Sequence, residues 1–131
     1  MNLKVGQTAS ITKSFTTEDV ERFAQLSKDT NAVHLDEEYA KNSIFGQRIV
    51  HGYLSGSLIS AVIGTILPGA GSIYLHQDMD FKHPVYHNEE ITATVTVERI
   101  REDKHICYLH TVCVNSSGEV KIEGNAIVKY L

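Results

Sequence analysis

The sequence predicts an α+β domain in which one long apolar helix lies within a curved antiparallel sheet of about five strands. Three observations lead there. Apolar residues recur at helical spacing in the first half, the pattern changes to alternation after Gly71, and a single strongly apolar segment, Ile49 to Leu67, lies between the two regimes. With 42% apolar and 21% charged residues among 131, the chain reads as one ordinary globular domain over residues 1–131. A domain of that size buries roughly two thirds of the surface its unfolded form exposes, so it needs no disulfide staples.

The elements follow in order. A short strand is expected over Ala9 to Phe15. Thr16 or Thr17 then offers an N-cap, Asp19 stands three residues after Thr16, and Val20, Phe23, Ala24 and Leu26 share one helical face, which predicts a helix from about Thr17 to Ser27. The stretch "SKDTNAVHLDEEYA", Ser27 to Ala40, reads as a loop followed by one or two helical turns over Asp36 to Lys41. "NSIFGQR" is a second loop, leading into the apolar helix that "PGAG" ends at Pro68, where the ring removes a donor and clashes with the preceding turn. Ile73 to Phe81 alternates as a strand, as does Val120 to Tyr130, while Ile91 to Ile100 and Ile106 to Asn115 are rich in β-branched and aromatic residues. "REDK" and "NSSGE" join the last three as hairpin turns. Along the apolar helix Gly52, Gly56, Ser60 and Gly64 recur every four residues, so they form one smooth ridge against which another backbone can come close. A helix swaddled by a curved antiparallel sheet is the hot-dog architecture.

Several function classes are disfavoured. A net charge of −4 with both signs scattered argues against a nucleic-acid surface and against a polybasic membrane patch. Ile49 to Leu67 approaches the length of a bilayer span, but it carries a His, several Ser/Thr and three Gly and lacks a basic or aromatic flank on its far side, so a buried helix is expected and no membrane contact. Cys107 and Cys113 lie six apart in one strand, about 20 Å from each other at the strand rise, too far to bridge. With no charged-plus-apolar leader before "NLKVGQT", reduced thiols in a cytoplasm are expected.

The chemistry-bearing residues concentrate in the polar stretch. Asp29 and His34 stand five residues apart with Asn31 between them. A metal site is disfavoured because His34 has no His partner at helical spacing, and no metal or other cofactor is expected. No Cys or Ser sits in a nucleophile elbow. Two readings remain: turn-forming Asp and Asn beside an orienting His, or a carboxylate and imidazole that hold one water between them and move its protons. In "RIVHGYL", Gly52 falls near the start of the apolar helix, where amide N–H groups lack intrahelical partners; such an N–H can stabilise an oxyanion, and close packing alone also explains a Gly there.

The stretch "FAQLSKDTNAVHLDEEYA" resembles the signature of the MaoC-like hydratases, in particular the small (R)-specific enoyl-CoA hydratases. The likeness continues through "IVHG", "LPGAGSIYL", "FKHPV", "REDK" and "GNAIVKYL", nearly the whole chain in order. Ala32 stands where that family usually has Pro, which loosens the loop and removes no reacting group. The resemblance implies Asp29 and His34 as the catalytic pair, the Gly52 N–H as oxyanion donor, Asn31 as a brace for the loop, Ser60 as a support touching the pair or its water, and His51 as structural. It also implies syn addition of water to a trans-2-enoyl-CoA giving an (R)-3-hydroxyacyl-CoA, with an acyl-CoA as partner and a homodimer as assembly. A dehydratase acting on acyl-carrier protein, a hot-dog thioesterase and a non-catalytic acyl-CoA sensor are the alternatives. Arg48, Arg101 and Lys104 are candidates for the CoA phosphates, and Tyr53, Ile59, Ile63 and Ile66 for an acyl tunnel or the core.

Overall fold

The computed structural model describes residues 2–131. Strand β1 (Thr8–Ser14) is followed by helix α1 (Thr17–Ser27), two short helices α2 (Ala32–Leu35) and α3 (Glu37–Lys41), and the apolar helix α4 (Gly52–Thr65). Five strands complete the chain: β2 (Ile73–Gln77), β3 (Asp80–Phe81), β4 (Glu90–Arg101), β5 (Ile106–Asn115) and β6 (Val120–Lys129). All pairings are antiparallel, in the order β1-β4-β5-β6-β2, with β3 also on β6. Helix α4 lies on the concave face of this sheet, and Leu58, Ile59, Val62 and Ile63 form the core with the inward residues of the long strands.

Most elements form where their sequence directs. Thr16 and Asp19 make the reciprocal capping box, each side chain taking the other's backbone N–H, and α1 begins one residue later. Leu26, placed by its spacing on the inner face, is instead exposed, because α1 ends there at a left-handed Lys28 and nothing covers its last turn. Period-two alternation buries Ile91, Ala93, Val95 and Val97 on β4, and Cys107, Leu109, Thr111 and Cys113 on β5, so both thiols face the core. Neither Cys is bridged, and burial pushes Cys107 up to about 11 and Cys113 up to about 12. No helix among the described residues is long and apolar enough to cross a membrane.

Two departures sharpen the picture. The single strand expected over Ile73 to Phe81 divides at Asp78, giving a sixth, two-residue strand. Asp78 turns its backbone N–H to Asn125 O and its carboxylate to Asn125 N, and its carbonyl presses on Gly124, where a Cβ would lie only 2.0 Å from the Asp78 oxygen. The stretch expected to be loop before Asp36 holds one helical turn, α2, capped by Asn31, whose Oδ1 accepts from Val33 N at 3.2 Å. Four residues are too few to leave a period in the sequence.

The small-residue ridge of α4 does admit a close neighbour along half its length. A Cβ on Gly52 would meet the Phe81 ring at 2.7 Å, and one on Gly56 the Met79 sulfur at 2.7 Å. Ser60 and Gly64 face outward. At the other end of the sheet a β-bulge between Cys113 and Val114 turns Lys121 inward. Its Nζ is buried, donates to Pro84 O at 2.8 Å and pairs with Glu119 and Glu89 at 2.7 and 3.2 Å.

Replacing Gly124 with Ala drives a methyl into backbone rather than a movable side chain; a loss of about 3 kcal/mol in denaturant unfolding is expected. Burial also holds the His51 and His87 rings below their ordinary titration range. The unfolded chain therefore takes up protons that the folded chain refuses. The stability carried by these neutral rings is present above about pH 6.5 and is lost as pH falls below it. Urea midpoints at about pH 7.5 and pH 5.5 check this, with a smaller drop expected for His51→Gln than for wild type.

Candidate active site

The loop between α1 and α2 carries Asp29 directly after the left-handed Lys28. Its backbone is fixed locally, with Asp29 N donating to Ser27 Oγ at 3.1 Å and Asn31 N donating to Asp29 Oδ1 at 3.3 Å. Asn31 thus braces the loop twice, once through its amide and once by capping α2. That one turn of helix presents His34, only 8% exposed. Its Nδ1–H donates to Ile49 O at 2.9 Å, which leaves Nε2 with a free lone pair when the ring is neutral.

The start of α4 closes on this loop. Val50 N donates to Val85 O at 2.7 Å and Ile49 N to Val33 O at 3.2 Å, placing the next residue, His51, against Asp29. The His51 Nε2–H donates to the Asp29 carbonyl at 2.9 Å. The rings of His34 and His51 stack with centroids 3.9 Å apart, and Phe23 meets His51 edge-on at 4.8 Å. One oxygen of Asp29 and one ring nitrogen from each histidine lie within 4.8 Å of one another. Burial, with His34 close by, keeps His51 neutral.

These donors include types that bind metals, so coordination must be weighed against hydrogen bonding. Imidazole binds a metal along the in-plane lone pair of an unprotonated nitrogen. Here the rings are nearly parallel, at 25°, and one N–H of each already donates to a backbone carbonyl. The lone pairs of stacked rings run side by side rather than toward one ion.

Gly52 is the first residue of α4, and no side chain caps that end. Its amide is one of the donors a helix start leaves without an intrahelical partner. Asp29, His51 and Gly52, with Phe23, Tyr53 and Phe81, line a depression of about 430 Å³. A second, largely apolar cavity of about 330 Å³ lies on the other side of Gly52 and Phe81, walled by Phe45, Ile49, Val85 and Ser55 among others. The Phe81 ring stands between them.

The residues singled out by sequence fall into two groups. Asp29 and His34 come together at the His51 ring, Asp29 and Gly52 line one depression, and Asn31 braces the loop between Asp29 and His34. Ser60 does not join them within one copy of the chain: it is exposed two turns along α4, about 12 Å from Gly52 at the helical rise, in a separate depression beside Tyr74, Leu75 and His76. Arg101 and Lys104 sit at and just beyond the far end of β4, about 36 Å along the strand from its start at Glu90, where Arg101 pairs with Asp103. Arg48 stays near His34, its guanidinium donating to Leu35 O. Ile59 and Ile63 are core, whereas Tyr53 and Ile66 are exposed. His51 contributes more than its structural reading implied, because its ring joins the donor cluster; 22 residues separate it from Asp29, too many for any local pattern to link them.

Comparison with known proteins agrees in sequence and in shape. The MaoC like domain family matches residues 2–117. The chain is 46% identical to the (R)-specific enoyl-CoA hydratase of Rhodospirillum rubrum over 127 residues, covering 97% of this chain and 88% of that protein. It is 45% identical to the (R)-specific enoyl-CoA hydratase of Aeromonas caviae over 128 residues, 98% of this chain and 96% of that one. The solved structure of the (R)-hydratase from A. caviae, described as involved in PHA biosynthesis, superposes with a TM-score of 0.96 at 45% identity, covering 98% of each chain. The six-stranded antiparallel sheet around α4 is the hot-dog fold of these hydratases, and the chain belongs to the MaoC-like domain family.

Proposed function

We propose that the protein is an (R)-specific enoyl-CoA hydratase, a hydro-lyase that adds water reversibly to trans-2-enoyl-CoA. The observation that carries the reading is the meeting of the Asp29 carboxylate and the His34 ring beside the uncapped Gly52 amide. The two relatives at 45 and 46% identity, both named for this activity, support it.

In this reading the thioester oxygen accepts the Gly52 N–H, so electron density leaves the C2–C3 double bond as an enolate-like species and C3 opens to attack. A water held between Asp29 and His34 gives one proton to the pair while its oxygen bonds C3, and the pair returns a proton to C2. Both additions come from the side of the substrate that faces the pair, which is syn addition. The (R) configuration follows the names of the relatives. Asn31 holds the loop in register, and the buried thiols favour a reducing, cytoplasmic setting.

A second copy of the chain is part of the proposal. The outer edge of β2 lacks a strand partner among the described residues, and Tyr53, Ile73, Leu75 and Phe81 expose large apolar side chains around it. A homodimer covers that edge.

Loss of the enoyl-thioester absorbance of crotonyl-CoA, followed by chiral analysis of the alcohol, tests the activity. Asp29→Asn and His34→Ala are each expected to lower turnover by about a thousandfold with an unchanged circular dichroism spectrum; a folded Asp29→Asn variant with wild-type turnover would remove Asp29 from the mechanism. Release of free thiol without loss of the double bond would mark a thioesterase instead, and faster dehydration of hydroxyacyl-carrier protein than of hydroxyacyl-CoA would change the carrier. Sedimentation is expected to give twice the chain mass, falling to one for Leu75→Asp.

A further inference from the structure

Ser55 lies one turn inside α4, directly above His51: its backbone N–H closes the first helical turn on His51 O at 3.0 Å. Side chains on a helix lean toward its amino end, so Ser55 leans back toward the turn that begins at His51. Both residues are 1% exposed. Both also carry a buried polar atom with no partner, Ser55 Oγ and His51 Nδ1. Leaving two such atoms unmet is costly, and serines in helices ordinarily avoid this by bonding back to a carbonyl three or four residues earlier. Ser57 and Thr65 in α4, and Ser27 in α1, do so. Ser55, the one buried serine of α4, does not.

The two atoms are chemically matched. The neutral His51 ring has one N–H, and its Nε2 spends it on the Asp29 carbonyl, so Nδ1 presents a lone pair and lacks a donor. A serine hydroxyl is a donor. Around the ring, His34 covers one face, Phe23 meets the edge and the Asp29 carboxylate lies within 4.8 Å; none of them offers a proton to Nδ1 in this arrangement.

We propose that Ser55 is a positioning residue: its hydroxyl donates to His51 Nδ1, directly after rotation about the Cα–Cβ bond or across one enclosed water, and thereby locks the His51 tautomer that pins the Asp29 backbone. The inference rests on the hydratase reading for its consequence and on the two orphaned atoms for its existence. Ser55 touches no substrate in this scheme; it acts through His51 on where the Asp29 carboxylate stands.

The test compares wild type with Ser55→Ala and Ser55→Thr, the cavity beside Ser55 having room for the extra methyl. The ring nitrogen resonances of His51 are read by NMR, and kcat and KM are measured with crotonyl-CoA. Expected are an Nδ1 signal of a hydrogen-bonded acceptor in wild type and the Thr variant, its loss in the Ala variant, and a kcat about tenfold lower for Ala with KM little changed and most of the rate restored by Thr. An Nδ1 signal that is the same in Ser and Ala proteins overturns the hydrogen bond, and a changed signal with unchanged kcat overturns the positioning role. Were wild type itself inactive on enoyl thioesters, the proposed function would fall while the His51 signal still decided the bond.

Discussion

The 2.9 Å hydrogen bond from the His51 ring to the Asp29 carbonyl ties together two stretches that neither helix propensity nor strand pairing would bring into contact. Asp29 lies on an exposed loop after a left-handed residue, held locally by Ser27 and Asn31. His51 is buried at the mouth of the central helix. With that bond made, Asp29 and the first residue of α4 line one depression, and the His34 ring lies against His51 beside it. Without it Asp29 loses its hydrogen bond to the entrance of α4. The second tie, His34 Nδ1 to Ile49 O, repeats the same logic from the other side: in each case a ring spends its single N–H on a backbone carbonyl, which leaves His34 Nε2 with a lone pair and His51 Nδ1 buried.

The support behind these ties runs through the sheet. Lys121, turned inward by a bulge, holds the Pro84 carbonyl; the next residue, Val85, accepts from Val50 N, and Val50 precedes His51. A buried cation with two carboxylates is seldom a net gain in stability compared with apolar residues of the same size. Its value here is geometric, because it fixes the carbonyl row on which the helix entrance rests. Truncating it would leave Glu89 and Glu119 without their cation at that row.

Period and capping made much of this fold readable in advance. Thr16 with Asp19 announces α1, and alternation from Ile91 to Tyr130 announces three paired strands, because both signals are local and repeat. The Asp78 break in the Ile73 to Phe81 run was not readable, since it depends on a glycine 46 positions later; α2 was too short to leave a period. At the site, Asp29, Asn31, His34 and Gly52 were legible as one motif and one helix start. The tie that His51 makes is not legible, because its partner is a distant backbone carbonyl, a group every residue possesses and no sequence marks. Ser60 was placed correctly on its ridge, but a ridge fixes a direction along a helix and not which cavity lies opposite.

The placement of the two cysteines has a chemical meaning for the proposed substrate. An α,β-unsaturated thioester is a Michael acceptor, and thiolate is the side chain that adds to it most readily. The chain has two thiols, both on the inward face of β5 and held protonated well above neutrality by burial. A catalyst that must hold such an electrophile through many turnovers therefore keeps its own soft nucleophiles shut away, and self-alkylation is suppressed by the same alternation that builds the core.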